Sequence, residues 1–180
     1  MTIILPKQVG TKEGELLFQK SKEIDNFEEV KEITKSLKET LDYYGGVGLA
    51  APQIGIQKRI FIVDIKPNER RPNIKEIGFR VYINPKIIEK SLKTNSNTEG
   101  CLSVFYGSLF GKVKRADSLK IEYFDLKGKK HTEEIKDLFH SRVIQHEFDH
   151  LDGIIFLQRI KAKDFSTLSW QEELEIRKKD

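Results

Sequence analysis

The sequence is short of everything that staples a chain or anchors it in a membrane. Its one cysteine, Cys101, has no second thiol to pair with inside the chain, so nothing calls for an oxidising compartment. No apolar run approaches the length of a membrane span, and the opening MTIILPKQVG has neither the basic start nor the extended apolar stretch of a secretory signal. We therefore read a cytoplasmic protein with no membrane partner. No repeat, low-complexity tract or Pro/Gly-rich linker divides the 180 residues, which argues for one domain over 1–180, large enough to bury a core without disulfides. Charge of one sign is lacking too: 32 basic and 28 acidic residues are interleaved, for a net charge of +4. That pattern is a solvated mixed surface with a weak bias towards anionic partners, and it gives no sign of a reader of nucleic-acid sequence.

What is present is periodic. From Asp25 or Asn26, a cap residue, Phe27, Val30, Ile33, Leu37, Leu41 and Tyr44 recur at spacings of three and four, one face of a helix that Gly45 and Gly46 end. RIFIVDI at 59–65, RVYIN at 80–84 and KIEYFDL at 120–126 read as strands, the last turning at Lys127 and Gly128 into KHTEEI. A second helix is predicted from Asp137 to Asp152, with Gly153 free to take a left-handed C-terminal cap. A third follows Ser169, which has capping-box spacing to Glu172. The order of helix, strands and helix gives an α+β domain, with small antiparallel or mixed sheets around a central helix and a helix near each terminus.

Histidine is scarce as well, with four in the chain, yet two of them stand in QHEFDHLDG at 145–153. His146 and His150 are four positions apart, so a helix brings both imidazoles to one face, the geometry for binding one metal ion, with Glu147 beside it. H-E-x-x-H is a signature of metal hydrolases. The competing reading is a helix with two buried, hydrogen-bonded histidines.

A catalytic centre of this kind needs a third protein ligand and one open position. His140 lies six residues before His146, about 240° round the axis, and reads as a surface or core histidine. His131 falls on a strand and carries no ligand signal. The extended pattern H-E-x-x-H-x-x-G-x-x-H fails at Phe156, whose ring carbons bind no zinc. Glu172, Glu173 and Glu175 are alternatives that also read as the charged face of a short helix. Cys101, in TEGCLS at 98–103, is the better candidate: a thiolate is a strong soft ligand, and Gly100 allows close backbone approach. Against it stands the ordinary reading of a lone cysteine as a small buried apolar residue. Asp149 reads either as a residue that orients a ligand or as half of a surface ion pair.

A third stretch, GGVGLAAPQIG at 45–55, permits close approach to a ligand, but alone it reads as a turn, and it lacks the lysine of a phosphate-binding loop. Taken in order, GVGLAAPQ, EGCLS and QHEFDH resemble the three motifs of the peptide deformylase family, and the resemblance runs from LLFQKSKEI at 16–24 to LQRI at 157–160. It implies removal of the formyl group from the N-terminal formyl-methionine of new polypeptides, with release of formate. It implies that Cys101, His146 and His150 hold one divalent metal ion, Fe2+ in the family, with Ni2+, Co2+ or Zn2+ as substitutes. Glu147 would be the general base and acid; Gln53 and the backbone amide of Leu102 would meet the oxyanion. The backbone of Val47 and Gly48 would align the peptide, Val47, Phe139 and Val143 would line the methionine pocket, and Glu99 would pair with Arg115. The partners implied are formyl-methionyl nascent chains, with contact to the ribosome surface, for a monomer.

Two stretches depart from the family pattern. The segment VFYGSLFGKVKR at 104–115 lacks the proline and the substrate-binding arginine that usually follow CLS, and Lys112 is the nearest substitute. PKQVGTKEGELLF near the start replaces a shorter stretch. Two rival functions stay open on the sequence: a zinc peptidase with a glutamate third ligand from the C-terminal helix, and a non-catalytic module that binds formylated peptides or the ribosome.

Overall fold

The computed structural model describes residues 3–67, 72–161 and 164–166. Two antiparallel sheets are built from eight strands: β1 (Gly48–Ala50), β2 (Ile60–Ile65), β3 (Gly78–Lys90), β4 (Thr94–Gly100), β5 (Phe110–Ala116), β6 (Leu119–Phe124), β7 (Lys130–Ile135) and β8 (Phe165–Ser166). Five form one sheet in the order β1-β2-β3-β6-β7, and three form the other in the order β4-β5-β8. The helices are α1 (Val30–Tyr44) and α2 (Leu138–Leu151). The α+β class read from the sequence is the class observed. The helix expected after Ser169 lies outside the described residues.

The larger sheet is a central layer. On β2, Ile60 and Ile62 join the core under α1, while Phe61, Val63 and Ile65 join the core under α2. A strand buried on both faces needs no polar alternation, which is why RIFIVDI is a continuous apolar run. Each such side chain contributes about 1.5–3 kcal/mol by leaving water. The second helix touches both sheets, packing on β1 and β2 of one and β5 of the other.

Both helix starts and both ends follow from local chemistry. The side chain of Asn26 accepts from Glu28 N, but the first turn, Phe27–Glu29, is 3-10, so the α-helix proper starts three residues later than the periodicity implied. Gly45 ends it at φ 66°. Asp137 caps α2 by accepting from His140 N. Gly153 follows α2 at φ 72°, and a Cβ there would stand 2.6 Å from the carbonyl of Phe18, so conformation and close approach both demand glycine.

The strand RVYIN extends to thirteen residues. Asn84, at φ 47°, opens a bulge before Pro85, and the ladder to β6 resumes in a shifted register. The Asn84 side chain is held by donating to Ile24 O and accepting from Ile24 N. The glycine-rich stretch at 45–55 supplies the edge strand β1, and the polar TNSNTEG is strand β4, neither of which its composition announced.

Candidate active site

One wall of the site is α2, whose helical spacing turns His146, Glu147 and His150 inward; the other is Cys101, immediately after β4 ends. The ligand atoms of Cys101, His146 and His150 all lie within 4.8 Å of one another. Cys101 Sγ is 3.2 Å from His150 Nε2, and it accepts from Gln53 Nε2 and the Ser103 amide, each at 3.4 Å. His146 Nδ1 lies 3.0 Å from Glu99 Oε2, which fixes the ring and leaves Nε2 for the cluster.

The donor set fits a divalent transition metal: one soft thiolate and two imidazoles, enough for three bonds with a position to spare. The electrostatics agree. Burial opposes charge on His146, yet Cys101 and Glu99 together raise its pKa well above the usual histidine value. The site thus draws a positive charge to the place where a cation would sit. Burial, and then the neighbouring His146, push His150 the other way, towards the neutral imidazole that binds metals.

Glu147 is buried with its Oε2 lacking a partner. Burial pushes its pKa up to about 7, against the opposing pull of His146. Its carboxyl lies on Gly48 of β1, where a Cβ would stand only 2.6 Å from Oε1. Gln53 is aimed by its own backbone surroundings: Oε1 accepts from Ala50 N at 2.8 Å, so Nε2 must point towards Cys101 and the Ser103 hydroxyl.

Behind the cluster stands an ion-pair network. Arg115 donates to both oxygens of Glu99 at 2.9 Å, Arg142 donates to Glu99 Oε1 at 2.6 Å, and Asp149 accepts from Arg115 and Arg159. Burial opposes ionisation of Glu99, but Arg115 and then His146 hold its pKa far below the usual carboxylate range. The surface ion-pair reading of Asp149 is therefore corrected: its carboxylate is buried and orients Arg115, which orients Glu99, which orients His146. Arg142 and Ser103 escaped the sequence reading, since an arginine and a serine without motif partners carry no sign of which loop will fold against them.

The cluster opens into a cleft of about 130 Å3, lined among others by Val47, Gly48, Leu102, Phe139, Val143 and Glu147. Glu99, Gln53, Cys101 and His146 border it too, and His150 joins the last two in the ligand cluster; Arg115 does not line the cleft but holds Glu99 from behind. The other histidines are elsewhere. His140 Nε2 is bonded to the Tyr82 hydroxyl at 3.0 Å, and His131 pairs with Asp125 on the β6–β7 hairpin. Lys112 is exposed on β5 opposite Thr98 and is not among the residues that line the cleft. Glu172, Glu173 and Glu175 lie outside the described residues.

What fold and centre define together is a class, the metal-dependent hydrolases. Within that class the chain belongs to the polypeptide deformylase family, whose model matches residues 6–166. It is 35% identical over 162 residues to peptide deformylase 2 of a Nostoc species, covering 89% of this chain and 88% of that one. To the peptide deformylase of Thermotoga neapolitana it is 37% identical over 147 residues, covering 81% and 82%. Among solved structures it resembles the class I type b peptide deformylase of Acinetobacter baumannii bound to Met-Ala-Ser, with TM-score 0.82, 33% identity and coverage of 88% and 99%. The peptide deformylase of Thermotoga maritima matches with TM-score 0.78, 33% identity and coverage of 89% and 99%. The reaction is removal of the N-formyl group from new polypeptides, which leaves neither the peptidase nor the non-catalytic module standing.

Proposed function

We propose that Cys101, His146 and His150 hold one divalent ion, natively Fe2+, with Ni2+, Co2+ or Zn2+ able to replace it, and that the cleft beside them binds the formyl-methionine of a nascent chain. The observation that carries this reading is the meeting of one thiol and two imidazoles within 4.8 Å beside a buried carboxyl whose Oε2 has no partner. When bound, the ion polarises the formyl oxygen and acidifies the attacking water.

The rest falls to the chain. Glu147 accepts the proton of the attacking water and returns it to the departing amine nitrogen, giving formate and a free N-terminus. The formyl oxygen gains charge as it is attacked, and Gln53 Nε2 and the Leu102 amide donate to it; loss of one such donor costs a factor of about 10² to 10³. The methionine side chain enters between Val143, in the core under α2, and Val47 and Phe139, which pack against that core. Because β1 is the outermost strand of its sheet, one side of the Val47–Gly48 backbone has no strand partner among the described residues, and an extended peptide can pair with it. No helix among the described residues is long and apolar enough to cross a membrane. The same reading makes the protein a cytoplasmic monomer that meets its substrate at the ribosome surface.

Cys101→Ala tests the assignment. It is expected to lose bound metal and formate release together, while the wild type hydrolyses formyl-methionyl peptides and leaves internal bonds intact. Full metal content and turnover in the variant would overturn it.

A further inference from the structure

The segment after CLS runs VFYGSLFG and carries no charge before Lys112. Its backbone is unusual. Val104 is buried in a small apolar cluster with Cys101, Val113 and Phe156 and anchors the turn, yet Phe105 and Tyr106 both take left-handed conformations, at φ 46° and 52°. Two successive non-glycine residues in that region are strained, and strain of this kind collects at functional sites. The strain turns both rings outward: Phe105 is 71% exposed and Tyr106 51%. Several bonds hold the turn in place. Gly107 N donates to Val104 O at 2.9 Å, Tyr106 N donates to Gln8 Oε1 at 3.1 Å, and Gln8 Nε2 donates in turn to Leu102 O at 2.8 Å. The unusual N-terminal stretch thus braces the unusual loop.

The turn stands at the cleft. Leu102 and Gly107 line it, as does Tyr44 at the end of α1. Tyr44 packs edge-on against Tyr43 at 5.0 Å, and Tyr106 is near enough to help disfavour ionisation of its hydroxyl, after burial and Tyr43. Neither ring lines the cleft itself; both stand exposed on the braced turn beside Leu102 and Gly107, which do, where a chain leaving the cleft would pass.

We propose that Phe105 and Tyr106, together with Tyr44, form an apolar subsite for the residue that follows the formyl-methionine, so that this enzyme prefers an aromatic or large aliphatic second residue. The proposal rests on the reading of the cleft as the peptide channel. Stacking and apolar contact replace the ionic grip that the sequence lacks, and their free energy appears in binding, remote from the reacting carbon.

The experiment compares metal-loaded wild type with Phe105→Ser, Tyr106→Gly and Tyr106→Phe on formyl-Met-Phe-Ser, formyl-Met-Ala-Ser and formyl-methionine amide. For the wild type, KM is expected to be about three- to tenfold lower for the Phe peptide than for the Ala peptide. Phe105→Ser and Tyr106→Gly should each erode that preference by raising KM for the Phe peptide with kcat within about twofold. Tyr106→Gly should hold or raise Tm, because glycine takes this backbone without strain, and Tyr106→Phe should keep the preference. A wild type indifferent to the second residue, or variants whose KM does not move, would overturn the proposal while leaving the deformylase site intact. If no formylated substrate is turned over, including the amide that never reaches the rings, the reading of the cleft itself falls.

Discussion

Two buried polar clusters meet along α2, and they differ in whether their bonds are complete. In the network of Glu99, Arg115, Arg142, Asp149 and Arg159, both oxygens of each carboxylate accept from an arginine or from His146. In the cluster beside it, Glu147 Oε2 and His150 Nδ1 are buried with no partner, and Cys101 Sγ stands 3.2 Å from His150 Nε2. Burying an unmet polar group costs about 1–3 kcal/mol, and two such groups stand here on the helix that carries His146. The closed network is built as scaffold, and the open cluster is the one our proposal makes the machinery. The two are joined at Glu99, which belongs to both.

The largest effect expected from this contrast is in Glu147→Gln. The change is nearly isosteric and removes the proton carrier, so kcat should fall by about 10² to 10⁴. Stability should hold, because the carboxylate has an unmet oxygen to lose. Metal analysis, turnover and thermal melting on one preparation check all three. Turnover near the wild-type level would mean that another group moves the proton.

The network should respond in the opposite sense. Arg115→Leu leaves two carboxylates buried without their shared cation, and breaking a buried pair in this way costs about 3–5 kcal/mol. Urea unfolding measures it. A loss below about 1 kcal/mol would show that water reaches Glu99 and Asp149 and that the network is no scaffold.

The pH dependence separates the network from a third buried polar group, His140. Burial, and then Arg80, lower the His140 pKa to about 4, so the folded protein keeps it neutral where the unfolded chain, near 6.5, takes up a proton. Its contribution is full above pH 6.5 and is lost progressively as pH falls towards 4, roughly 2–3 kcal/mol by pH 4.5 at about 1.4 kcal/mol per unit. Glu99 keeps its charge throughout that window, since its pKa is held far below it. His140→Gln should therefore flatten the fall in stability between pH 6.5 and 4.5 relative to wild type. Parallel curves would assign the loss to other groups.

How much of this was legible in the sequence depended on where the determining contacts lie. Local signals were readable: the cap at Asp137, the glycine stop at 153, the four-residue spacing of His146 and His150, and the apolar run of β2. The strands β1 and β4 were not, because each is the outermost strand of its sheet and owes its conformation to the neighbour it pairs with rather than to its own apolar alternation. For Cys101 the residues alone left ligand and buried thiol open, and only the fold, which brings the end of β4 against α2, places its sulfur beside two imidazoles. Arg142 shows the same limit. Its partners, Glu99, Asn95 and the carbonyls of Asn97 and Val113, lie 29 to 47 residues away along the chain.

The smallest predicted effect probes the seam between scaffold and machinery. Gly48 carries no left-handed conformation and pairs with Val63 in β1, so alanine suits its backbone, and exchanging glycine for alanine in a strand favours folding by about 0.5–1 kcal/mol. Yet the added Cβ would lie 2.6 Å from Glu147 Oε1, 2.9 Å from Cγ and 3.0 Å from Cδ, so the carboxyl must move by several tenths of an ångström. The end of the side chain is flexible, and the fold absorbs the shift. The reaction does not, because misplacing a catalytic group by about 1 Å costs up to about 10² in rate. Gly48→Ala is therefore expected to keep its metal and its stability while kcat falls about tenfold, and the double variant with Glu147→Gln should be no slower than Glu147→Gln alone, since both act through one carboxyl. Additive losses in that cycle would show that Gly48 acts on the peptide rather than on Glu147.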